Sequence, residues 1–297
     1  MMASVDIAPQ PFERIDLHAH SSWSDGVLTP TELVALAATR SVQLLALTDH
    51  DTMAGCEEAR AACEEADINF VYGSELTSLW RGREVHIVGL RLDLDAPVLV
   101  AHLEDVRRRR RERIEGIGLK LSANGLPGPK ISAAVLARPG TPTRLHVARE
   151  LVQLGFAADE NDAFKRWLGK GQPAAVAAAW PTVAATLAAI VAARGVAVLA
   201  HPHRYKLSAG GLRELCAEFR DAGGEGIEVS LPGMGAGDAD RAASLARRFG
   251  LAGSCGSDFH VPGIPWRPLG RFAKLPEGVV PLAERLNVEP VRGALPA

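Results

Sequence analysis

The chain has 297 residues, of which 47% are hydrophobic and 23% charged, and its formal charge is −2. This length and composition suffice to bury a full core, and single α/β barrels are routinely of this size. The nearly neutral charge argues against a broad surface for long duplex nucleic acid. No stretch has the apolar length of a signal peptide or a membrane span, and the four cysteines form no CxxC pair, so we expect reduced thiols in a cytoplasmic protein.

Short apolar runs alternate with Ala- and Leu-rich segments of helical period. A helix is predicted to begin at Thr29-Pro30, where a Thr cap precedes a Pro in the first turn, and another covers about 53–66. The runs interpreted as strands are 14–20, 43–51, 68–78, 83–90, 195–202, 226–231 and 251–260. Runs 68–78 and 83–90 are expected to pair directly. Because strands alternate with helices, the sequence predicts a parallel sheet, and the number of units favours closure into a barrel.

Residues 97–180 interrupt this alternation. The stretch is almost wholly helical in its pattern and contains no convincing strand. We therefore interpret it as a helical cap inserted between barrel units. The predicted division of the chain is a first barrel part at 14–96, the cap at 97–180, a second barrel part at 181–270 and a C-terminal tail at 271–297.

The segment RIDLHAHSSWSDG (14–26) ends a predicted strand with two histidines. Successive strand residues point to opposite faces, so His18 and His20 project on the same side, where Val or Leu would be usual. Two imidazoles buried there lose their solvent, and a shared metal ion compensates for that loss. A histidine that is simply hydrogen-bonded in the core is the alternative, and this pair alone leaves both interpretations open.

The same arrangement recurs at the ends of other predicted strands. The candidate metal ligands are His18, His20, Asp25, His50, Glu75, His86, His201, Asp258 and His260. In α/β barrels the carboxyl ends of the strands converge on one mouth, so these side chains are expected to meet. They exceed the needs of one ion, and the sequence predicts two or three divalent ions, with Mn²⁺ favoured and Fe²⁺, Zn²⁺ or Mg²⁺ as alternatives. Such ions outweigh the charge of the carboxylates, which favours a phosphate-bearing substrate.

These segments resemble the PHP (polymerase and histidinol phosphatase) family of phosphoesterases. The matching motifs are DLHAHSSWSDG, LTDHD, GSE, VHIVG, AHP and GSDFH, in that order over residues 14–260. The resemblance implies a distorted (β/α)7 TIM-like barrel and a trinuclear centre in which a metal-bridging hydroxide attacks phosphorus. It implies one ion on His18, His20, Glu75 and Asp258, a second on Asp25, His50 and His260, and a third on Glu75, His86 and His201.

Within that family, the segments TPTRLHVARELVQLG (141–155) and AHPHRY (200–205) are similar to the TrpH/YciV-like branch. Members of that branch act as nucleoside 3',5'-bisphosphate phosphatases and as 5'-3' exoribonucleases on short oligonucleotides. The resemblance implies that the substrate is a nucleotide or short oligonucleotide, bound by Arg144, His146 and Arg204. It also implies that the residues taking part in catalysis are His201, His260, Arg144 and His146. The planar guanidinium fork of arginine matches a phosphate group well.

Two places depart from the pattern of that branch. Where relatives carry a Lys before a Pro and a Tyr two residues after it, this chain has Gln172 and Ala175, and Lys170 is the predicted substitute in substrate binding. His203 stands where relatives commonly have Gly. Because the first departure concerns the grip on a second phosphate or base, a phosphatase of another small monoester, such as histidinol phosphate, is an alternative function. A non-catalytic metal-binding module is a further alternative, and the complete ligand set argues against it.

The basic run VRRRRRERIEGIGLK (106–120) raises the question of nucleic-acid binding. We interpret it as a solvated helix face on which Glu104–Arg108 and Arg111–Glu115 pairs form at i, i+4 spacing. A smaller part in attracting oligonucleotide phosphates is the alternative.

Overall fold

Seven strands form one sheet that curls into a nearly closed barrel. The computed structural model describes residues 14–264 and 268–288. The strands are β1 (Ile15–Asp16), β2 (Leu44–Leu47), β3 (Asn69–Trp80), β4 (Arg83–Leu90), β5 (Val196–Leu199), β6 (Gly226–Ser230) and β7 (Ala252–Cys255), in that spatial order. A hydrogen bond from Leu17 N to Cys255 O and a bridge between Ala19 and Phe259 bring β7 back to β1. The predicted distorted barrel is confirmed.

One strand runs against the others, so the expectation of a purely parallel sheet is wrong for β4. This strand is antiparallel to both β3 and β5, whereas the other neighbouring pairs are parallel. The cause is the connection between β3 and β4, which consists of Arg81 and Gly82, both with positive φ (46° and 75°). Such a two-residue turn joins antiparallel strands and is too short for a crossover helix. The predicted direct pairing of the two runs is confirmed.

The first regular strand is shorter than predicted. β1 ends at Asp16 rather than at position 20. The buried Asp16 carboxylate accepts hydrogen bonds from the backbone N–H groups of His18 (3.3 Å), Ser257 (2.8 Å) and Gly270 (2.7 Å). It thereby ties the end of β1 to the segment after β7. The two histidines that follow flank Ala19, which forms an isolated parallel bridge with Phe259, so they lie on an irregular continuation of the strand.

Ten α-helices complete the described part of the chain. They are α1 (Pro30–Thr39), α2 (Cys56–Glu65), α3 (Pro97–Ala123), α4 (Gly128–Leu136), α5 (Arg144–Gln153), α6 (Glu160–Ala163), α7 (Val183–Ala192), α8 (Ala209–Asp221), α9 (Ala236–Phe249) and α10 (Ala283–Leu286). The predicted start of α1 is confirmed, since Thr29 caps it and Glu32 bonds back to the Thr29 N–H at 2.8 Å. Strand residues alternate between the barrel interior, such as Leu44 and Ala46, and the layer facing the helices, such as Leu45.

The segment between β4 and β5 is helical, as expected, and has a hydrophobic core of its own. The first part of α3 packs against the barrel through Leu99. Its second part, including Ile114 and Leu121, joins a separate cluster with α4 and α5. At 27 residues, α3 is about 40 Å long and contributes to both the barrel core and this separate cluster. The cap boundaries at 97 and 180 stay a prediction.

The basic run on α3 is only partly solvated, which corrects our interpretation of it. Arg108 pairs with Asp105 and Glu112, not with the expected Glu104. Arg110 points inward and is 7% exposed, and Arg113 is also largely buried. The side chains of a helix point in all directions around its axis. When such a helix lies against the barrel, some residues of any continuous run of arginines must therefore face the barrel. Part of the run therefore forms buried contacts inside the protein.

The C-terminal segment pairs with β7 through its backbone. Pro281 bridges to Gly253, and Leu282 donates its backbone N–H to Gly253 O at 2.8 Å. Leu282 and Leu286 join the barrel cluster. In the part of the chain that the structure describes, no helix is both long and apolar enough to cross a bilayer. All four cysteines are buried and unpaired.

Candidate metal centre

Histidines and carboxylates from six different segments meet at one end of the barrel. His18 and His20 are both fully buried, and their Nε2 atoms lie 3.1 Å apart. The Glu75 Oε2 atom lies 3.4 Å from His18 Nε2 and 3.3 Å from His20 Nε2. Asp258 Oδ1 lies 3.5 and 3.3 Å from the same two nitrogens. These four ligand atoms fall within 4.8 Å of one another, as one metal ion requires.

A second group lies on the other side of His20. Asp25 Oδ1 is 3.7 Å from His50 Nε2 and 3.3 Å from His260 Nε2. The His260 ring stacks on the His20 ring with centroids 4.2 Å apart. Ligand atoms of all four residues lie within 4.8 Å of one another. The geometry therefore adds His20 to the three residues that were expected together.

A third group gathers around the other oxygen of Glu75. Glu75 Oε1 is 2.7 Å from His86 Nδ1 and 2.8 Å from His201 Nε2. His50 Nδ1 lies 3.0 Å from Glu75 Oε2, so ligand atoms of His50, Glu75 and His86 also form a compact set. Glu75 thus has one oxygen in the first group and one in the third, which is the arrangement of a bridging carboxylate.

Unsatisfied buried atoms test whether ions fit these groups. Asp25 Oδ1, His50 Nδ1 and Glu75 Oε2 are buried and have no hydrogen-bond partner in the part of the chain that the structure describes. His50 Nδ1 and Glu75 Oε2 are 3.0 Å apart yet lack hydrogen-bond geometry. Buried polar atoms are rarely left unpaired, and lone pairs that converge without a proton between them suit a cation. The residues present fit divalent metal ions.

The charge state of the centre is also suited to metal binding. Burial alone would raise the pKa of the Asp25, Glu75 and Asp258 carboxyls, but the surrounding histidines hold all three well below their usual range. Burial lowers the pKa of His20 to about 3, so this ligand is neutral. Burial also opposes protonation of His86, but Glu75 raises its pKa to about 10. Ion binding at His86 must therefore displace a proton.

Arg144 is the first residue of α5 and approaches the metal centre through Glu84. Arg144 Nη2 lies 3.4 Å from Glu84 Oε1, and that oxygen lies 3.7 Å from His86 Nε2. Arg113 Nη1 donates to the other Glu84 oxygen at 3.1 Å, and Trp180 Nε1 donates to it at 2.8 Å. Two guanidinium groups therefore flank one carboxylate at the rim of the third group. Arg113 was not among the predicted site residues, because in the sequence it is one of six arginines in the run 107–113.

His146 holds the loop that supplies Asp25. Its Nδ1 accepts a hydrogen bond from the Thr143 backbone N–H at 3.1 Å, and its ring also bonds to the backbone of Ser24. The neighbouring Arg149 donates to the Asp25 carbonyl oxygen at 3.0 Å. Both ring nitrogens of His146 are thus used within the protein. Its predicted contact with substrate stays a prediction.

The remaining predicted substrate residues differ in their placement. Arg204 donates a hydrogen bond to Asp258 Oδ2, so it lies beside the first group. Lys170 is exposed, and no hydrogen bond or ion pair of its side chain joins it to the metal centre within residues 14–264 and 268–288. His203 is half-buried, and its Nδ1 has no partner among the described residues.

Two buried acidic residues beside the centre are not among the predicted site residues. Asp49 accepts hydrogen bonds from Ser21 Oγ (2.6 Å) and Ser24 Oγ (2.5 Å) and so shapes the loop of Asp25. Glu228 accepts from His18 Nδ1 at 2.7 Å. The available signal for Glu228 was a single acidic residue in the apolar run GIEVSL, which is unusual inside a parallel strand.

A barrel whose mouth holds three overlapping His/carboxylate groups defines the class of metal-dependent hydrolases. The PHP domain family matches residues 16–122. A 5'-3' exoribonuclease from Haemophilus influenzae is 42% identical over 92% of this chain and 99% of the relative. A 3',5'-nucleoside bisphosphate phosphatase from Chromobacterium violaceum is 40% identical over 94% of this chain and 99% of the relative.

A solved structure has a similar fold over nearly the whole chain. An amidohydrolase from Chromobacterium violaceum, determined with bound sulfate and no metal, superimposes with a TM-score of 0.87 at 38% identity. The superposition covers 94% of this chain and 99% of the amidohydrolase chain. This chain belongs to the PHP domain family, and the resemblance stated from its motifs is confirmed.

Proposed function

We propose that this protein is a metal-dependent phosphoesterase that removes the 3'-phosphate of nucleoside 3',5'-bisphosphates and degrades short 5'-phosphorylated oligonucleotides from the 5' end. The observation that carries the proposal is the position of Arg144 and Arg113 on Glu84, which itself lies 3.7 Å from the proposed metal ligand His86. An anion-binding pair next to a metal centre suits a substrate that has two phosphate groups, one to be gripped and one to be cleaved. The relatives named above point to the same two substrate types.

The metal centre is proposed to hold two or three divalent ions, most simply Mn²⁺. Bound ions of this kind polarise a phosphoryl oxygen and make water nucleophilic at neutral pH. The ligands proposed for them are His18, His20, Asp25, His50, Glu75, His86, His201, Asp258 and His260. The mixed nitrogen and oxygen donors of this set suit manganese, iron or zinc. The protein's own part is to hold these donors rigid and largely out of water.

The arginine pair is proposed to bind the 5'-phosphate. Glu84 neutralises one of the two guanidinium charges and leaves a net positive charge for the substrate. Arg144 is about one third exposed, so an incoming phosphate can reach it, whereas Arg113 is held by Trp180 and Glu84. Guanidinium groups bind phosphate through two parallel hydrogen bonds. With the 5'-phosphate held there, the next phosphoester along the sugar would face the ions.

Other substrate roles follow from the family and are proposed on that ground. Arg204 lies beside Asp258 and is placed to contact the phosphoryl group that is cleaved. Lys170 is proposed to reach the substrate from the cap, and His146 to act through the loop of Asp25. His201 and His260 are proposed to serve catalysis as ligands on opposite flanks of the centre. A cytoplasmic location is proposed from the four buried, unpaired thiols.

The proposal is tested by phosphate release from three substrates by the manganese-loaded protein: adenosine 3',5'-bisphosphate, 3'-AMP and histidinol phosphate. We expect the bisphosphate to be preferred. Arg144→Ala should lower kcat/KM for the bisphosphate about 10- to 100-fold, since hydrogen bonds to charged groups contribute about 1.5–3 kcal/mol. The rate with 3'-AMP should change little.

The other outcomes separate the rival functions. Equal rates for the bisphosphate and 3'-AMP would mean that the arginine pair does not grip a second phosphate. A preference for histidinol phosphate would make the protein a phosphatase of a small monoester, consistent with Gln172 and Ala175 in the cap. Fewer than two ions per chain, without hydrolysis of any substrate, would favour a non-catalytic metal-binding module.

A further inference from the structure

Glu228 lies on β6 beneath the metal centre and is 1% exposed. Its Oε1 atom is 2.7 Å from His18 Nδ1. Its Oε2 atom accepts a hydrogen bond from the backbone N–H of His201. A buried carboxylate is costly unless its oxygens are bonded, and here both oxygens are bonded to residues of the metal centre.

The first contact determines which nitrogen of His18 carries the proton. An ionised carboxylate only accepts hydrogen bonds, so His18 Nδ1 must be the donor. The Nε2 atom, which faces His20 and Glu75 at 3.1 and 3.4 Å, is then the nitrogen left to bind an ion. A carboxylate bonded to the far nitrogen of a metal-binding histidine fixes the ring and makes it a stronger ligand.

The second contact holds His201 in an uncommon backbone conformation. His201 has a φ of 26°, a region that residues other than glycine seldom occupy. This conformation places His201 Nε2 2.8 Å from Glu75 Oε1. Since the His201 N–H is bonded to Glu228, the carboxylate opposes relaxation of the backbone that would withdraw the ring.

We propose that Glu228 is a positioning residue that orients one ligand in each of two metal groups, His18 in the first and His201 in the third. The inference rests on the metal centre of the proposed function and deepens it. Only a carboxylate meets both demands, because the two neighbours are both N–H donors that face separate oxygens. Glu228 itself does not belong to any of the compact groups of ligand atoms.

The test variant is Glu228→Gln, which keeps the size of the side chain. A glutamine amide has one acceptor oxygen, so it can serve His18 or His201 but must turn its NH₂ group towards the other donor. Glu228→Asp keeps the charge and shortens the side chain, so it should retain part of the Mn²⁺ affinity that Glu228→Gln loses. Val229→Ala is the matched control, since Val229 neighbours Glu228 on the same strand, is equally buried and lies in the hydrophobic core.

The measurement is the titration of metal-free protein with Mn²⁺ against a competing chelator, together with the number of ions bound per chain. Loss of such a partner typically weakens metal binding 10- to 100-fold. We therefore expect Glu228→Gln to weaken at least one Mn²⁺ site by that factor. Val229→Ala should lower the unfolding temperature and leave the Mn²⁺ affinities unchanged. Circular dichroism of each variant checks that it is folded.

Three results would overturn the assignment. One is a set of Mn²⁺ affinities for Glu228→Gln within about twofold of the wild type. Another is an equal loss of affinity in Val229→Ala, which would show that any disturbance of β6 weakens the site. A wild-type protein that binds fewer than two ions would defeat the proposed metal centre, and the assignment of Glu228 with it. The first two results leave the proposed function standing.

Discussion

His146 shows how a single side chain makes the stability of the protein depend on pH. It is 4% exposed, and burial lowers its pKa to about 4. In the unfolded chain it has a pKa near 6.5, so the unfolded state binds more protons between pH 6.5 and pH 4. The stabilisation that this group provides is therefore complete above pH 6.5 and is lost as the pH falls towards 4.

The prediction is that this loss amounts to about 2 kcal/mol between pH 7 and pH 5. The variant His146→Gln should lack this component, because glutamine at the third helical position completes a capping box with Thr143 and does not titrate. Urea unfolding of both proteins at pH 5, 6 and 7, in the presence of a chelator, measures the difference. Parallel pH profiles for the two proteins would contradict the assignment.

The individual contacts around His146 could not be read from the sequence. His146 was expected to face substrate because the family places a histidine there. The structure shows its ring bonded to Thr143 and to the loop of Asp25. Thr143 is only three residues away, but the loop of Asp25 lies far from His146 in the sequence, and no local pattern records that α5 lies against that loop. The convergence of the predicted ligands could be anticipated for residues such as His50 and His201, because each follows an apolar run that ends at the barrel mouth.

At the scale of elements, α3 is joined to the ligand-bearing strands by buried arginines. Arg110 Nε donates to Asp51 Oδ2 at 2.7 Å, and Arg110 Nη2 donates to Thr77 Oγ1 at 2.8 Å. Asp51 follows the ligand His50 directly in the chain and also accepts from the Thr77 N–H at 2.7 Å. The helix thereby fixes the end of β2 against β3.

Removing this contact should destabilise the fold strongly. We expect Arg110→Ala to lower the free energy of unfolding by about 3–5 kcal/mol, because it leaves the buried Asp51 carboxylate without its cation. The control is Arg108→Ala on the exposed side of the same helix, which should unfold almost as the wild type does, since solvated ion pairs contribute little. Urea unfolding distinguishes them, and equal midpoints would show that the Arg110–Asp51 pair is dispensable.

The arrangement of elements was predictable where local signals were strong. The Thr29 cap, the helical character of the stretch after residue 97 and the pairing of β3 with β4 could all be read from short segments. The reversed direction of β4 depends on the two-residue turn at Arg81-Gly82. The alternation of strands and helices, from which the parallel sheet was predicted, gives no information on that turn. Which arginines of α3 face the barrel depends on how that helix crosses it. A continuous run of arginines in the sequence does not indicate this.

At the scale of the whole molecule, the metal centre should contribute to stability. Its ligands come from segments as distant as His18 and His260, and several of its buried atoms have no hydrogen-bond partner. An ion that binds the folded state stabilises it by RT ln(1 + [M]/Kd), which is about 2.7 kcal/mol at a hundredfold excess over Kd. We expect EDTA to lower the unfolding temperature and added Mn²⁺ to raise it with concentration.

Differential scanning calorimetry across a series of Mn²⁺ concentrations measures this effect. The matched variant is Asp258→Asn, which removes one charge from the first ligand group and should reduce the dependence on Mn²⁺. An unfolding temperature that does not respond to EDTA or Mn²⁺ would contradict a metal centre in the folded protein.

The antiparallel junction of β4 and β5 also has a consequence for the order of folding. Leu90 and Val196 are direct partners across this junction, although about a hundred residues separate them in the chain. Closing a loop of that length costs about 2 kcal/mol more than closing one of ten residues. The helices inside the loop make mostly local contacts and can form first, which draws its ends together. Because His86 precedes the junction and His201 follows it, the third ligand group becomes complete only once β4 and β5 have paired.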